Sequence, residues 1–139
     1  MSASRAAVVA APSLFLAFDY GTKRIGVASG NSVTRTATVL TTLAQTGEDA
    51  RFAAIGKLIA AWQPGALVVG VPRHPDGAPH DNTRRAERFA RQLRGRFGLP
   101  VHEVDERYTT TEALAAGAAD VDAASAALIL EQYFNQSTA

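Results

Sequence analysis

The sequence predicts an α/β fold: a mixed five-stranded sheet, three antiparallel strands followed by parallel crossovers, with helices on both faces. Three observations predict it. Two runs, Leu14 to Phe18 and Ala66 to Val71, are apolar at every position or nearly so, as central strands covered by helices on either side must be. The first three strand-like segments follow one another too closely for crossovers, which points to an antiparallel meander. After them, amphipathic helical segments alternate with short apolar runs, the pattern of parallel β-α-β connections.

Taken in order, Leu14 to Tyr20 forms the first strand. A tight Gly21-Thr22-Lys23-Arg24 turn leads into the second, Ile25 to Ser29. The third, Val33 to Leu40, is marked by β-branched residues (Val33, Thr34, Thr36, Thr38, Val39). From about Gly47 to Trp62 the apolar positions Phe52, Ile55, Leu58, Ile59 and Trp62 recur at three and four, so this is a helix with one buried stripe, stopped by Pro64 and Gly65. Ala66 to Val71 is the fourth strand. Pro72 to Asn82, rich in Pro, Gly, His and Asp, is a loop. Thr83 to Phe97 is the second helix, with Ala86, Phe89, Ala90, Leu93 and Phe97 on one side. Arg84, Arg88 and Arg91 lie on the opposite side, flanked by Arg85 and Arg94, and Gly98 and Pro100 end the helix. Val101 to Val104 is the fifth strand. Thr109-Thr110-Thr111-Glu112 is a capping box for a short helix from Thr110 to Gly117. Asp122 to Phe134 is the last helix. Residues 14–136 form a single domain, and residues 1–13 are expected to be a flexible tail.

The bulk composition bounds the class of function. A chain of 139 residues with 47% hydrophobic and 19% charged residues is an ordinary soluble globular domain. It has no cysteine, which excludes a disulfide framework, a cysteine metal site and a cysteine nucleophile. Arg5 followed by Ala6 to Ala11 imitates a signal peptide, but the apolar stretch is short and broken by Pro12. No stretch approaches the ~20 apolar residues of a membrane span. The net charge of +1 conceals an uneven distribution, because Thr83 to Phe97 carries six arginines against one glutamate. One basic face beside a separate acidic cluster suits a polyanion held against a cation site.

That acidic cluster is Asp19, Asp105 with Glu106, and Asp122. The first three sit at or just beyond the carboxyl ends of apolar strands, and Asp122 opens a helix. Carboxylates brought together there repel one another and their pKa values rise. Divalent cations are the natural remedy, and an oxygen-only ligand set suits Mg²⁺ or Mn²⁺, which outlines a two-metal phosphodiesterase site. Asp19 before a glycine could instead be a turn residue, and Asp122 a helix N-cap. Strand alternation does not choose between Asp105 and Glu106, since the strand ends there; Glu106 is the preferred inward residue. His74, His80 and His102 lack the spacing of a zinc site.

Four segments together resemble the YqgF (RuvX) family. They are Phe18-Asp19-Tyr20-Gly21-Thr22-Lys23-Arg24-Ile25-Gly26-Val27-Ala28; Val69-Gly70-Val71-Pro72 with Asp76-Gly77; Asp105-Glu106-Arg107-Tyr108-Thr109-Thr110; and Asp122-Ala123-Ala124-Ser125-Ala126-Ala127. The resemblance spans nearly everything from Leu14 to Phe134. It implies a ribonuclease-H-like fold and a bacterial cytoplasmic nuclease, described first as a Holliday junction resolvase and later associated with maturing the 5′ end of 16S ribosomal RNA. By position, Asp19, one or both of Asp105 and Glu106, and Asp122 match the catalytic, metal-binding acids. The segment Ala116 to Val121 departs from the family pattern, in which a longer loop carries lysine.

The expected function is therefore a metal-dependent endonuclease, with two Mg²⁺ or Mn²⁺ ions, acting on precursor 16S ribosomal RNA. Lys23, Arg24, Arg84, Arg85, Arg88, Arg91 and Arg107 are the expected nucleic-acid contacts, made to backbone rather than bases. A Holliday-junction-resolving DNA endonuclease uses the same chemistry but acts as a dimer, so monomer and homodimer both stay open. A non-catalytic RNA-binding factor acting on pre-ribosomal particles is the reading from another class. An actin-like ATPase or sugar kinase is disfavoured, because those enclose a nucleotide between two such domains.

Overall fold

A computed structural model describes residues 13–21, 23–72, 76, 78, 82–105 and 121–136. Its elements are β1 (Leu14–Tyr20), β2 (Arg24–Asn31), β3 (Thr36–Ala44), α1 (Glu48–Trp62), β4 (Ala66–Val71), α2 (Thr83–Phe97), β5 (Val101–Asp105) and α3 (Val121–Gln136). The five strands form one sheet in the order β3-β2-β1-β4-β5. β1 and β2 pair antiparallel, as do β2 and β3, whereas β4 runs parallel to both β1 and β5. This is the expected α/β arrangement.

Alternation along the central strands divides the core into two layers. Leu16, Phe18, Leu67 and Val69 face α1 and α2, where they pack with Phe52, Ile55, Phe89 and Leu93. Phe15, Ala17, Ala66 and Val68 face the other way, onto Ile129, Leu130 and Phe134 of α3. Phe18 and Phe89 are both essentially inaccessible and meet edge to face at 5.8 Å. Full burial of each such ring removes enough apolar surface to contribute about 2–3 kcal/mol. Asp19, Val71 and Asp105 lie at the carboxyl ends of β1, β4 and β5, the edge at which open α/β sheets gather ligands.

α3 comes unusually near the sheet because β2 offers it glycine. A Cβ on Gly26 would lie 1.8 Å from the backbone oxygen of Asp122, and one on Gly30 would lie 2.4 Å from Cδ2 of Leu130. These two positions form a channel in which the helix lies almost on the strand backbone. Gly26 thereby sets where the first turn of α3 can be.

The third strand differs from expectation. Val33 was expected inside it, but the strand begins at Thr36 and continues to Ala44. The reason is Asn31, whose Oδ1 accepts the backbone N–H groups of Val33 at 2.8 Å and Thr34 at 3.4 Å. This asparagine turn outweighs the β-propensity of Val33 and leaves that side chain 79% exposed. Arg35 closes the turn with a φ of 58° and donates to the Phe134 carbonyl and Asn135 Oδ1, both at 3.2 Å. The fifth strand runs one residue beyond Val104, because Asp105 pairs with Val71. The expected short helix from Thr110 to Gly117 lies outside the described residues, as do residues 1–12 of the expected tail.

Candidate active site

Asp19 is the last but one residue of β1 and, by alternation, points to the α3 face. In register it is flanked by Gly26 on β2 and Gly70 on β4. Neither of these directly opposite neighbours has a side chain that could offer it a donor. Its polar surroundings come instead from the start of α3. Burial beneath that helix, reinforced by the nearby charge of Asp122, pushes the Asp19 carboxyl from 3.8 up to about 6, against the opposing effect of a hydrogen bond from the Ser125 hydroxyl. A largely enclosed carboxyl raised by desolvation and by a second carboxylate marks a candidate functional group.

Asp122 lies in the first turn of α3, where the helix dipole favours an anion. Its Oδ2 accepts a hydrogen bond from Nε of Arg24 at 2.7 Å. Arg24 opens β2 and remains 59% exposed, so it bridges the acid pair and solvent. Ser125 follows Asp122 by three positions and therefore shares its helix face. It was not among the expected site residues, although that spacing is readable once Asp122 is chosen. Gly26 and Gln132 were missed as well. Gln132 Nε2 donates to the backbone oxygen of Asp105 at 3.0 Å and ties the end of β5 to α3.

The two neighbouring acids at the end of β5 are not equivalent. Val101 packs in the α1/α2 layer and Glu103 bonds Arg94 of α2, while Val104 packs against α3. Asp105 has the parity of Val101 and Glu103, so alternation places it on the sheet face opposite Asp19. The structure thus brings Asp19 and Asp122 together and sets the Asp105 side chain apart from them. Glu106 and Arg107 lie outside the described residues, as do His74 and His80. Among the described residues there is no cluster of three or more His, Asp or Glu side chains arranged for a metal ion.

The expected basic residues divide in two. Lys23 and Arg24 are exposed, and Arg24 pairs with Asp122. Arg84, Arg85, Arg88 and Arg91 are exposed on α2, which covers the other face of the sheet. The remaining arginines of that helix are structural. Arg94 reaches the Val101 carbonyl at 2.8 Å and Glu103 at 3.1 Å, and Arg96 reaches Glu48 at 3.2 Å and lies over the Phe52 ring. His102 stacks on Tyr133 with ring centroids 5.0 Å apart, and burial together with the charge of Arg94 lowers its pKa. Its place is in the packing of β5 against α3.

Comparison with known proteins identifies the family and the fold. A protein named "Putative pre-16S rRNA nuclease" from Polaromonas sp. (strain JS666 / ATCC BAA-500) is 69% identical over 119 residues, covering 86% of each chain. One of the same name from Burkholderia vietnamiensis is 53% identical over 132 residues, covering 88% of this chain and 89% of that one. Among solved structures, RuvC of T. thermophilus in complex with a Holliday junction substrate superimposes with a TM-score of 0.60 at 14% identity, covering 91% of this chain and 96% of that chain. A second Thermus thermophilus RuvC structure gives 0.59 at 13% identity, covering 90% and 96%. At such identities the likeness concerns the fold, which is ribonuclease-H-like. The family model for RuvX, described as Holliday junction resolvase, matches residues 13–136, and with relatives of this similarity the chain belongs to the RuvX family.

Proposed function

We propose that this chain is a metal-dependent endonuclease that processes the 5′ end of precursor 16S ribosomal RNA. The observation that carries the reading is the pairing of Asp19 and Asp122 at the carboxyl end of β1, with Asp19 held at about 6 by burial and by its partner's charge. The names of the relatives supply the substrate class.

The donor set fits a divalent cation. It consists of hard oxygen ligands, one of them buried and electrostatically unfavourable when ionised, with no sulfur or zinc-like histidine spacing. Asp19 and Asp122, together with Glu106, would hold Mg²⁺ or Mn²⁺. When bound, two such ions supply an activated water for in-line attack on phosphorus and neutralise charge at the leaving 3′ oxygen. The chain's own groups do the rest. The Ser125 hydroxyl fixes the orientation of the Asp19 carboxylate and favours its ionised form. Arg24 balances Asp122 and lies where it can meet a phosphate from the solvent side. Arg84, Arg85, Arg88 and Arg91, with Lys23 and Arg107, would hold flanking backbone phosphates. No covalent enzyme intermediate is required.

Cleavage of a Holliday junction is the second reading, favoured by the family description and by the junction-bound RuvC fold. Both readings are tested with end-labelled ribosomal RNA precursor and a four-way DNA junction, each incubated with Mg²⁺ or Mn²⁺ and with wild type or Asp19→Asn. RNA-selective cutting lost in the variant supports processing. Paired symmetric junction cuts, also lost, support resolution. Absence of cutting on either substrate, with or without pre-ribosomal particles, would leave a non-catalytic RNA-binding role in pre-ribosomal particles.

A further inference from the structure

Between α1 and α2, on the sheet face away from Asp19, lies a cavity of about 150 Å³ lined by Tyr20, Glu48, Arg51, Arg85, Arg88 and Gln92. Three guanidinium groups against one carboxylate make it strongly cationic. Arg51 is the built part. Its side chain is 12% exposed, held by Gln45 Oε1 at 2.6 Å, the Tyr20 hydroxyl at 3.3 Å and Glu48 at 3.6 Å, and packed over the Phe52 ring at 5.1 Å. Its Nε is buried and has no hydrogen-bond partner among the described residues. A guanidinium tethered at the wall of a cavity supplies fixed positive charge there, since its ordering cost has been met by the fold.

The other wall completes a donor set. Arg85, Arg88 and Gln92 follow at intervals of three and four and so share one stripe of α2, turned toward α1. Among the described residues Arg88 forms no ion pair, and Arg85 contacts only the neutral Asn82, at 3.3 Å. Arg94 and Arg96, on the same helix, are by contrast neutralised by Glu103 and Glu48. The Tyr20 hydroxyl accepts from Arg51 and keeps its own proton to donate. Planar guanidinium forks, an amide and a phenol converging on a small cavity match the tetrahedral, multi-acceptor geometry of a phosphate group.

We propose that this cavity is a phosphate-binding pocket that seats one backbone phosphate of the nucleic-acid substrate on the far side of the sheet. It rests on the nuclease reading for the source of that phosphate. Tyr20 follows Asp19 directly in β1 but points to the opposite layer. A strand whose scissile bond lies at Asp19 and Asp122 therefore has to pass over the carboxyl-end edge of the sheet to reach the pocket. The pocket fixes register along the strand, and Arg51, Gln92 and Tyr20 join the substrate-contacting residues.

The test compares two double variants that remove the same charge from the same helix, Arg85→Gln/Arg88→Gln and Arg84→Gln/Arg91→Gln. All four side chains are exposed, so both proteins fold. Dissociation constants for an end-labelled ribosomal RNA precursor are measured in EDTA over a range of KCl, alongside Tyr20→Phe and thermal shifts with inorganic phosphate. The pocket variant should lose about tenfold or more in affinity, and the slope of log K against log[salt] should become shallower by about one phosphate contact. The outer variant should lose less than about a third as much, and Tyr20→Phe should weaken binding without changing the slope. Equal losses in the two double variants would overturn the pocket while leaving nucleic-acid binding intact, and so would no loss in either. If wild type binds neither RNA nor junction, the nuclease reading fails by itself. A phosphate-induced thermal shift abolished only in the pocket variant would then assign the site to a free phosphate, and no shift would overturn it.

Discussion

Replacing Asp19 by asparagine should make the metal-free protein more stable while abolishing its activity. The Asp19 carboxyl sits at about 6 against an ordinary 3.8. At 1.36 kcal/mol for each tenfold change, holding it ionised at neutral pH costs the fold about 3 kcal/mol. The native state binds this proton more tightly than the unfolded chain does. Stability from this group is therefore greatest below about pH 4, falls as the pH rises toward about 6, and levels off above. Asparagine has no charge to desolvate and does not titrate. In EDTA at pH 7.5, Asp19→Asn should melt about 5 °C or more above wild type, and the two proteins should converge as the pH is lowered to 4.5. Added Mg²⁺ should raise the wild-type melting temperature and leave the variant unmoved, because a bound cation relieves the same unfavourable charge. Cleavage should fall by at least about a hundredfold. A variant that melts at or below wild type at pH 7.5, with a difference independent of pH, would refute the claim that Asp19 is a strained carboxylate.

Four further outcomes follow from the same geometry. Gly26→Ala should displace the start of α3, since the new Cβ meets the Asp122 oxygen at 1.8 Å where ordinary contact begins near 3.4 Å; thermal melts should show about 1–3 kcal/mol lost, and cleavage should drop about a hundredfold. Gly95→Ala, with nothing within 4 Å of its Cβ, is the control and should retain cleavage while gaining up to about 1 kcal/mol. Ser125→Ala removes the hydroxyl that lowers the Asp19 pKa, so the acid limb of the pH–rate profile should move to higher pH; an unmoved limb would count against that hydrogen bond. Phe89→Ala removes a ring packed against Phe18 at 5.8 Å and Tyr20 at 4.9 Å, and chemical denaturation should show about 3–5 kcal/mol lost.

Which parts of this arrangement the sequence could disclose follows from how local each cause is. The bounds of β1, β4 and α2 are readable because long apolar runs and a clean helical stripe encode them within a few residues. The start of β3 is not, because one asparagine side chain two positions before Val33 overrides its propensity. The basic face of α2 is visible as a stripe, but its division into structural and available arginines is not. Arg94 and Arg96 find partners 9 and 48 positions away, and only the packed fold supplies them. Asp105 could not be told from Glu106 in the sequence, since its orientation depends on pairing with Val71 across the sheet. Asp19 and Asp122 were legible as acids. That they approach each other depends on Gly26, whose missing side chain makes room for the helix.

The Arg24–Asp122 bond spans 98 positions, and α3 follows every strand among the described residues. A growing polypeptide can therefore complete its whole sheet and still have only one of the two paired acids in place. Until α3 docks into the channel over Gly26 and Gly30, Asp19 lacks the Asp122 charge and the Ser125 hydroxyl that act on it in the folded protein. Such long-range closure is slow relative to the formation of local hairpins and helices. The paired acids on which the proposed nuclease activity depends therefore form only once α3 has docked on the finished sheet.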